Sequence, residues 1–147
     1  MEALILDASV LIGLLDRADV HHQRAIDDVE TADAADRNLI TPASAYSEAL
    51  VAFARAGRLA DARHAIGGMG ISIAPLTAVV AERAAELRAR HQRLRLPDAI
   101  VLACARDLAG ELLTYDERLR HTAQEVIVGT LGSLSGPRAA QADQGSG

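Results

Sequence analysis

Short aliphatic runs recur along the whole chain, each separated from the next by a stretch with helical periodicity. Ala3-Leu4-Ile5-Leu6, Asn38-Leu39-Ile40, Ile71-Ser72-Ile73-Ala74, Glu111-Leu112-Leu113-Thr114 and Glu125-Val126-Ile127-Val128 read as strands. Strands joined by helical crossovers pair in parallel, and a parallel sheet has to be covered on both faces. The pattern therefore predicts an α/β domain, three layers deep (α/β/α), around a central, mostly parallel sheet of four to five strands. Ligands of such sheets bind beyond the carboxyl ends of the strands. Residues just after the aliphatic runs are thus where chemistry is expected.

The intervening segments carry their own starts and stops. A helix begins at Asp7-Ala8-Ser9 and continues through Leu15, and a more polar one opens at Asp19-Val20-His21-His22 and runs to about residue 33. Thr41-Pro42 supplies an N-cap and an N1 proline for a helix reaching Ala56, which Gly57 ends. Residues 58–66 are helical again, and Gly67-Gly68-Met69-Gly70 breaks the chain; with no following Gly-Lys-Ser/Thr element those glycines read as a turn. Thr77 caps a long helix to Gln92, and Pro97 begins another that stops at Gly110. Beyond residue 132 Gly, Ser, Pro, Ala and Gln dominate, so one domain is expected over 1–132 and a disordered tail over 133–147.

Composition narrows the chemistry. All 15 basic residues are arginine, because the chain has no lysine. The one cysteine, Cys104, lies in the run Ile100-Val101-Leu102-Ala103-Cys104-Ala105, so disulfide stapling is excluded and a small core residue is the expected role. The N-terminus lacks a positive leader region and carries Asp7 inside its apolar segment, unlike a signal peptide. No stretch approaches the roughly 18–20 apolar residues of a membrane span, and a cytoplasmic protein is expected. The net charge of −5 argues against a dedicated DNA-binding protein. Yet Arg83, Arg88, Arg90, Arg93 and Arg95 crowd together just before Asp98. They form either a solvated helix face partnered by Glu82 and Glu86 or a clamp for a polyanion.

The acids stand out by position. Asp7 interrupts an aliphatic run, and Asp98 and Asp116 each border another. A charge beside buried aliphatics is costly unless it is paired, capped or bound to a metal. Asp7 follows the first strand and Asp116 the fourth, which sends both to one edge of the fold. On a helix from residue 97, Asp98 stands above the apolar positions Leu102 and Ala105. Glu48 falls on the polar side of its helix, opposite Tyr46, Ala49, Leu50 and Phe53, and by periodicity is a solvent glutamate. Asp16, Asp19, Asp27, Asp28, Asp33 and Asp36 lie on or beside the polar second helix, where a solvated face is the default. His21 and His22 are adjacent and project about 100 degrees apart on a helix. Neither they nor His64, His91 and His121 have zinc spacing.

Four segments together resemble the PIN domain and, within it, the VapC-type toxins of bacterial toxin–antitoxin pairs. They are Leu4-Ile5-Leu6-Asp7-Ala8-Ser9-Val10-Leu11-Ile12, Thr41-Pro42-Ala43-Ser44-Ala45-Tyr46-Ser47-Glu48, Leu96-Pro97-Asp98-Ala99-Ile100 and Leu113-Thr114-Tyr115-Asp116. The resemblance implies a PIN-like fold and a metal-dependent endoribonuclease with Asp7, Glu48, Asp98 and Asp116 as its acidic quartet. It also implies Ser9 and Thr114 as supporting hydroxyls, Asp7 and Asp98 as metal ligands, an RNA substrate, a neutralising antitoxin and a homodimer. Clustered carboxylates suit hard divalent ions, so Mg²⁺ or Mn²⁺ is expected rather than zinc. Receiver domains, haloacid-dehalogenase-type phosphatases and P-loop enzymes also place chemistry after a first strand, but each uses a lysine that this chain lacks. The alternative from another class is a PIN-like module that binds RNA or a protein without cleaving.

Overall fold

The computed structural model describes residues 2–126 and 130–131. Five strands, β1 (Ala3–Leu6), β2 (Asn38–Pro42), β3 (Ser72–Ala74), β4 (Glu111–Leu113) and β5 (Thr130–Leu131), form one sheet in the order β3-β2-β1-β4-β5. Every neighbouring pair is parallel, with Ile5 opposite Ile40 on one side and Leu112 on the other. The helices between them are α1 (Ala8–Leu15), α2 (His22–Ala34), α3 (Ala43–Arg55), α4 (Leu59–Gly68), α5 (Ala78–Arg90), α6 (Leu96–Asp107) and α7 (Glu117–Glu125).

Strand alternation sorts the core into two layers. Leu4, Leu6 and Leu113 face α1 and α2, packing with Val10, Leu11, Leu14, Ala25, Val29 and Ala32. Ile5 and Leu112 face the opposite way, onto α5, α6 and α7 through Val80, Ala84, Leu87, Leu102 and Leu119. Leu4, Ile5 and Leu6 of the central strand β1 are fully buried, as expected of a parallel strand covered on both faces. Its neighbours make the architecture three-layered α/β/α. The small side chains Ala99, Ala103 and Ala105 let α6 approach both the sheet and α5 closely.

Topology then creates a crevice. The chain moves outward from β1 through β2 to β3, and returns to place β4 on the other side of β1. The crossovers therefore diverge between β1 and β4, the point where parallel sheets open a ligand-binding cleft at their carboxyl ends.

Several sequence expectations shift. Thr41 and Pro42 end β2 rather than opening a helix, because the Thr41 hydroxyl donates to the Leu6 carbonyl 2.8 Å away and Pro42 takes the N-cap position of α3. Glu125 and Val126 close α7 instead of starting a strand, since Asp116 caps that helix and Leu119 and Ala123 bury one face of it. Ile127 and Val128, and the tail expected over 133–147, lie outside the described residues. Asp28 is fully buried rather than solvated, for it shares the inward stripe of α2 with Ala25, Val29 and Ala32. On α3 the fully buried positions are Ala45 and Ala49, with Tyr46 packed partly buried beside them.

Candidate active site

Asp7 is the first residue past β1, and its extended backbone makes it the N-cap of α1. One carboxylate oxygen, Oδ1, accepts from the Val10 amide at 3.2 Å and from the Ser9 hydroxyl at 2.5 Å; the other, Oδ2, accepts from the Thr114 hydroxyl at 2.5 Å. The Thr114 donor reaches across the crevice, because Thr114 follows β4. Further bonds hold the two sides together: the Tyr115 amide donates to Ser9 Oγ at 3.0 Å and the Asp116 amide to Thr114 Oγ1 at 3.1 Å. Ser9 and Thr114 thus tie the turn after β1 to the turn after β4.

The environment of Asp7 is unusual for a carboxylate. The residue is only 4% exposed. Burial lifts its pKa from 3.8 to about 6, against the lowering effect of the Ser9, Thr114 and Val10 donors, and Asp116 raises it further by repulsion. Asp98, in the first turn of α6, is also pushed up, first by burial and then by Asp116, while Arg95 pulls it back. The Arg95 guanidinium lies 3.5 Å from Asp98 Oδ2. Asp116 caps α7 through Oδ1, which accepts from the amides of Arg118 at 2.9 Å and Leu119 at 3.3 Å.

Asp98 and Asp116 line a cleft of about 580 Å³ whose other walls include Arg93, Arg95, Arg118 and His121. Asp7 is not part of that cleft wall, but it is close enough for Asp116 to repel it. The structure therefore brings three of the four expected acids, and both expected hydroxyls, to one end of the sheet. Glu48 is exposed on α3 and lines a separate cleft with Ile12, Leu15, Ala52 and Phe53. The arginine cluster also divides: Arg83 and Arg90 line a third cleft with Glu82 and Glu86, whereas Arg93 and Arg95 join the acids.

The chain matches the PIN domain family over residues 4–125. It belongs to the PIN domain family. No match emerged among curated proteins. Among solved structures, this PIN domain resembles a toxin–antitoxin complex from Klebsiella pneumoniae at 24% identity, covering 88% of this chain and 96% of that one with a TM-score of 0.66. It also resembles Mycobacterium tuberculosis VapC20, a sarcin–ricin loop cleaving toxin, at 18% identity, 80% and 92% coverage and a TM-score of 0.63. VapBC2 from Rickettsia felis, bound to a DNA fragment from its promoter, superposes with a TM-score of 0.69 at 10% identity, over 88% of this chain and 97% of that one. At these identities the likeness is one of fold.

Two features of this PIN domain had weaker signals in the sequence. Tyr115, between Thr114 and Asp116, donates its hydroxyl to Asp28 Oδ2 at 2.7 Å, and Arg24 stacks 4.7 Å from its ring centroid. The spacing of Asp28 from Ala25 and Ala32 was the available clue. Arg118 lines the cleft from α7, a helix absent from the elements expected from the sequence.

Among the described residues, no three His, Cys, Asp or Glu side chains gather closely enough to hold an ion as they stand. The donor set is nonetheless suited to a hard cation. Asp7 and Asp98 are both destabilised as anions by burial and by Asp116, and a carboxylate has about four lone-pair positions, of which Asp7 uses three.

Proposed function

We propose that this PIN domain is a metal-dependent endoribonuclease of the VapC toxin kind, hydrolysing RNA phosphodiester bonds and neutralised by a cognate antitoxin. The observation that carries the reading is the convergence of Asp7, Asp98 and Asp116 at the β1–β4 crevice, where each pair involving Asp116 repels. Mutual repulsion in a half-buried cleft is relieved by a divalent cation, and Mg²⁺ or Mn²⁺ fits an all-oxygen donor set. Asp7 and Asp98 are its proposed ligands. Such an ion would supply an activated water and polarise the scissile phosphate.

The protein's own groups do the rest. Ser9 and Thr114 orient Asp7 and favour its ionised form at neutral pH. Asp116 contributes negative charge beside both ligands while anchored to the amides that open α7. Arg93, Arg95 and Arg118 on the cleft walls would bind phosphates on either side of the scissile bond. Glu48, the fourth acid of the resemblance, would act from the neighbouring α1–α3 cleft. The toxin–antitoxin complexes among the structural neighbours support an antitoxin partner, and the proposal extends to a homodimer in the cytoplasm. No helix among the described residues is long and apolar enough to cross a membrane.

A second reading, a PIN module that binds RNA or protein without cutting, draws on the absence of a ready-made three-ligand cluster among the described residues. Incubating the purified chain with structured RNA, with and without Mg²⁺ or Mn²⁺, separates the two. Metal-dependent fragments that disappear in Asp98→Asn support the nuclease. Retained binding with intact RNA under both metals establishes the second reading.

A further inference from the structure

Arg95 occupies a place where a cation is electrostatically out of position. It is the N-cap residue of α6, and helix N-termini carry partial positive charge that favours anions. What holds its guanidinium there is Asp98, 3.5 Å away and three residues on. The pair is lopsided: the Arg95 side chain is 68% exposed, whereas that of Asp98 is only 21% exposed. At 3.5 Å and with its arginine largely exposed to water, the i,i+3 pair is weak, so a stronger cation can displace the arginine at little cost. The released guanidinium would remain on the wall of the same cleft, beside Arg93 and Arg118, with a planar fork of donors suited to phosphate.

We propose that Arg95 serves two anions in turn, holding Asp98 in the metal-free protein and an RNA phosphate once a divalent cation takes the carboxylate. The proposal rests on the metal-nuclease reading above and adds a consequence to it. Because one guanidinium is shared, metal loading frees a phosphate-binding group, and metal and RNA promote each other's binding. Arg93 lines the same cleft without being the partner of Asp98, so its substitution separates phosphate contact from competition for the carboxylate.

Mn²⁺ affinity should be measured without RNA, by calorimetry, for the wild type, Arg95→Gln, Arg95→Lys, Arg93→Gln and Asp98→Asn, with kcat and KM for RNA cleavage determined in parallel. Removing the competing charge in Arg95→Gln should tighten Mn²⁺ binding roughly threefold, the size expected of an exposed ion pair, while raising KM more than it lowers kcat. Arg95→Lys should restore wild-type Mn²⁺ affinity, and Arg93→Gln should raise KM with Mn²⁺ affinity unchanged. Unchanged or weaker Mn²⁺ binding by Arg95→Gln, in a protein whose binding is lost in Asp98→Asn, overturns the dual role of Arg95 and leaves the nuclease reading standing. Failure of the wild type to bind Mn²⁺ overturns both.

Discussion

Replacing Asp7 by Asn should stabilise the metal-free protein at neutral pH while abolishing cleavage. Asparagine keeps the shape of the side chain, caps a helix as well as aspartate does, and retains an oxygen for the Ser9 and Val10 donors. What it removes is a buried negative charge. The folded protein raises Asp7 from 3.8 to about 6, so it binds that proton more tightly than the unfolded chain does. Below pH 3.8 both states are protonated and the group is neutral toward stability; between 3.8 and 6 the folded state is progressively disfavoured; above 6 the penalty is complete. The shift corresponds to about 3 kcal/mol. In a domain of this size that is a Tm difference of roughly 10 °C. Urea and thermal denaturation in EDTA from pH 4 to 8 should show Asp7→Asn the more stable protein at pH 8, with the gap closing toward pH 4. Adding Mg²⁺ should narrow the gap at pH 8 by stabilising the wild type alone. An Asn variant no more stable than the wild type at pH 8, or a gap independent of pH, would refute the reasoning.

Thr114→Val removes a donor that lowers the Asp7 pKa, so the acidic limb of the pH–kcat/KM profile should move to higher pH; an unmoved limb excludes the orienting role of Thr114. Tyr115→Phe deprives the buried Asp28 of a hydroxyl donor and should destabilise the protein by about 1–3 kcal/mol in chemical denaturation. Adding Asp28→Leu should recover most of that loss, and a single variant as stable as the wild type would count against the bond. Ala109 has a left-handed backbone at φ 49°, so Ala109→Gly should raise stability by roughly 0.5–1 kcal/mol; a lower Tm would contradict that strain. Leu102, fully buried on α6, should cost about 2–5 kcal/mol when cut to Ala, and a loss under 1 kcal/mol would mean that the layer beneath α6 can collapse to fill the space.

Much of the architecture was written in local patterns. Alternating aliphatic runs and helical stretches called for a parallel sheet, and β1 to β4 appear within a residue or two of their expected places. Thr77 caps α5, and Asp7 caps α1, through the side-chain bonds their residue types suggest. Two segments depart from their local patterns. Glu125-Val126-Ile127-Val128 has the composition of a strand, but the cap at Asp116 and the buried positions Leu119 and Ala123 carry α7 through Glu125. Thr41-Pro42 has the composition of a helix start, but a bond to the Leu6 carbonyl keeps Thr41 in the sheet. In the first case a cap and an amphipathic face outweighed strand composition, and in the second a contact across the sheet outweighed a helix-start signal.

The candidate site divides along the same line. The sequence by itself determined that Asp7 follows β1, that Asp98 opens α6, and that Asp116 follows β4, because caps, prolines and periodicity depend on near neighbours along the chain. Tertiary structure alone decided that β4 lies directly beside β1, which sets Thr114 on Asp7 and carries Asp116 within repelling distance of Asp7 and Asp98. It also decided that Glu48 lines a different cleft and that Arg93, Arg95 and Arg118 share one. Strand order and cleft membership arise from pairings between segments far apart in the chain, and such pairings leave no period or spacing in the sequence to read.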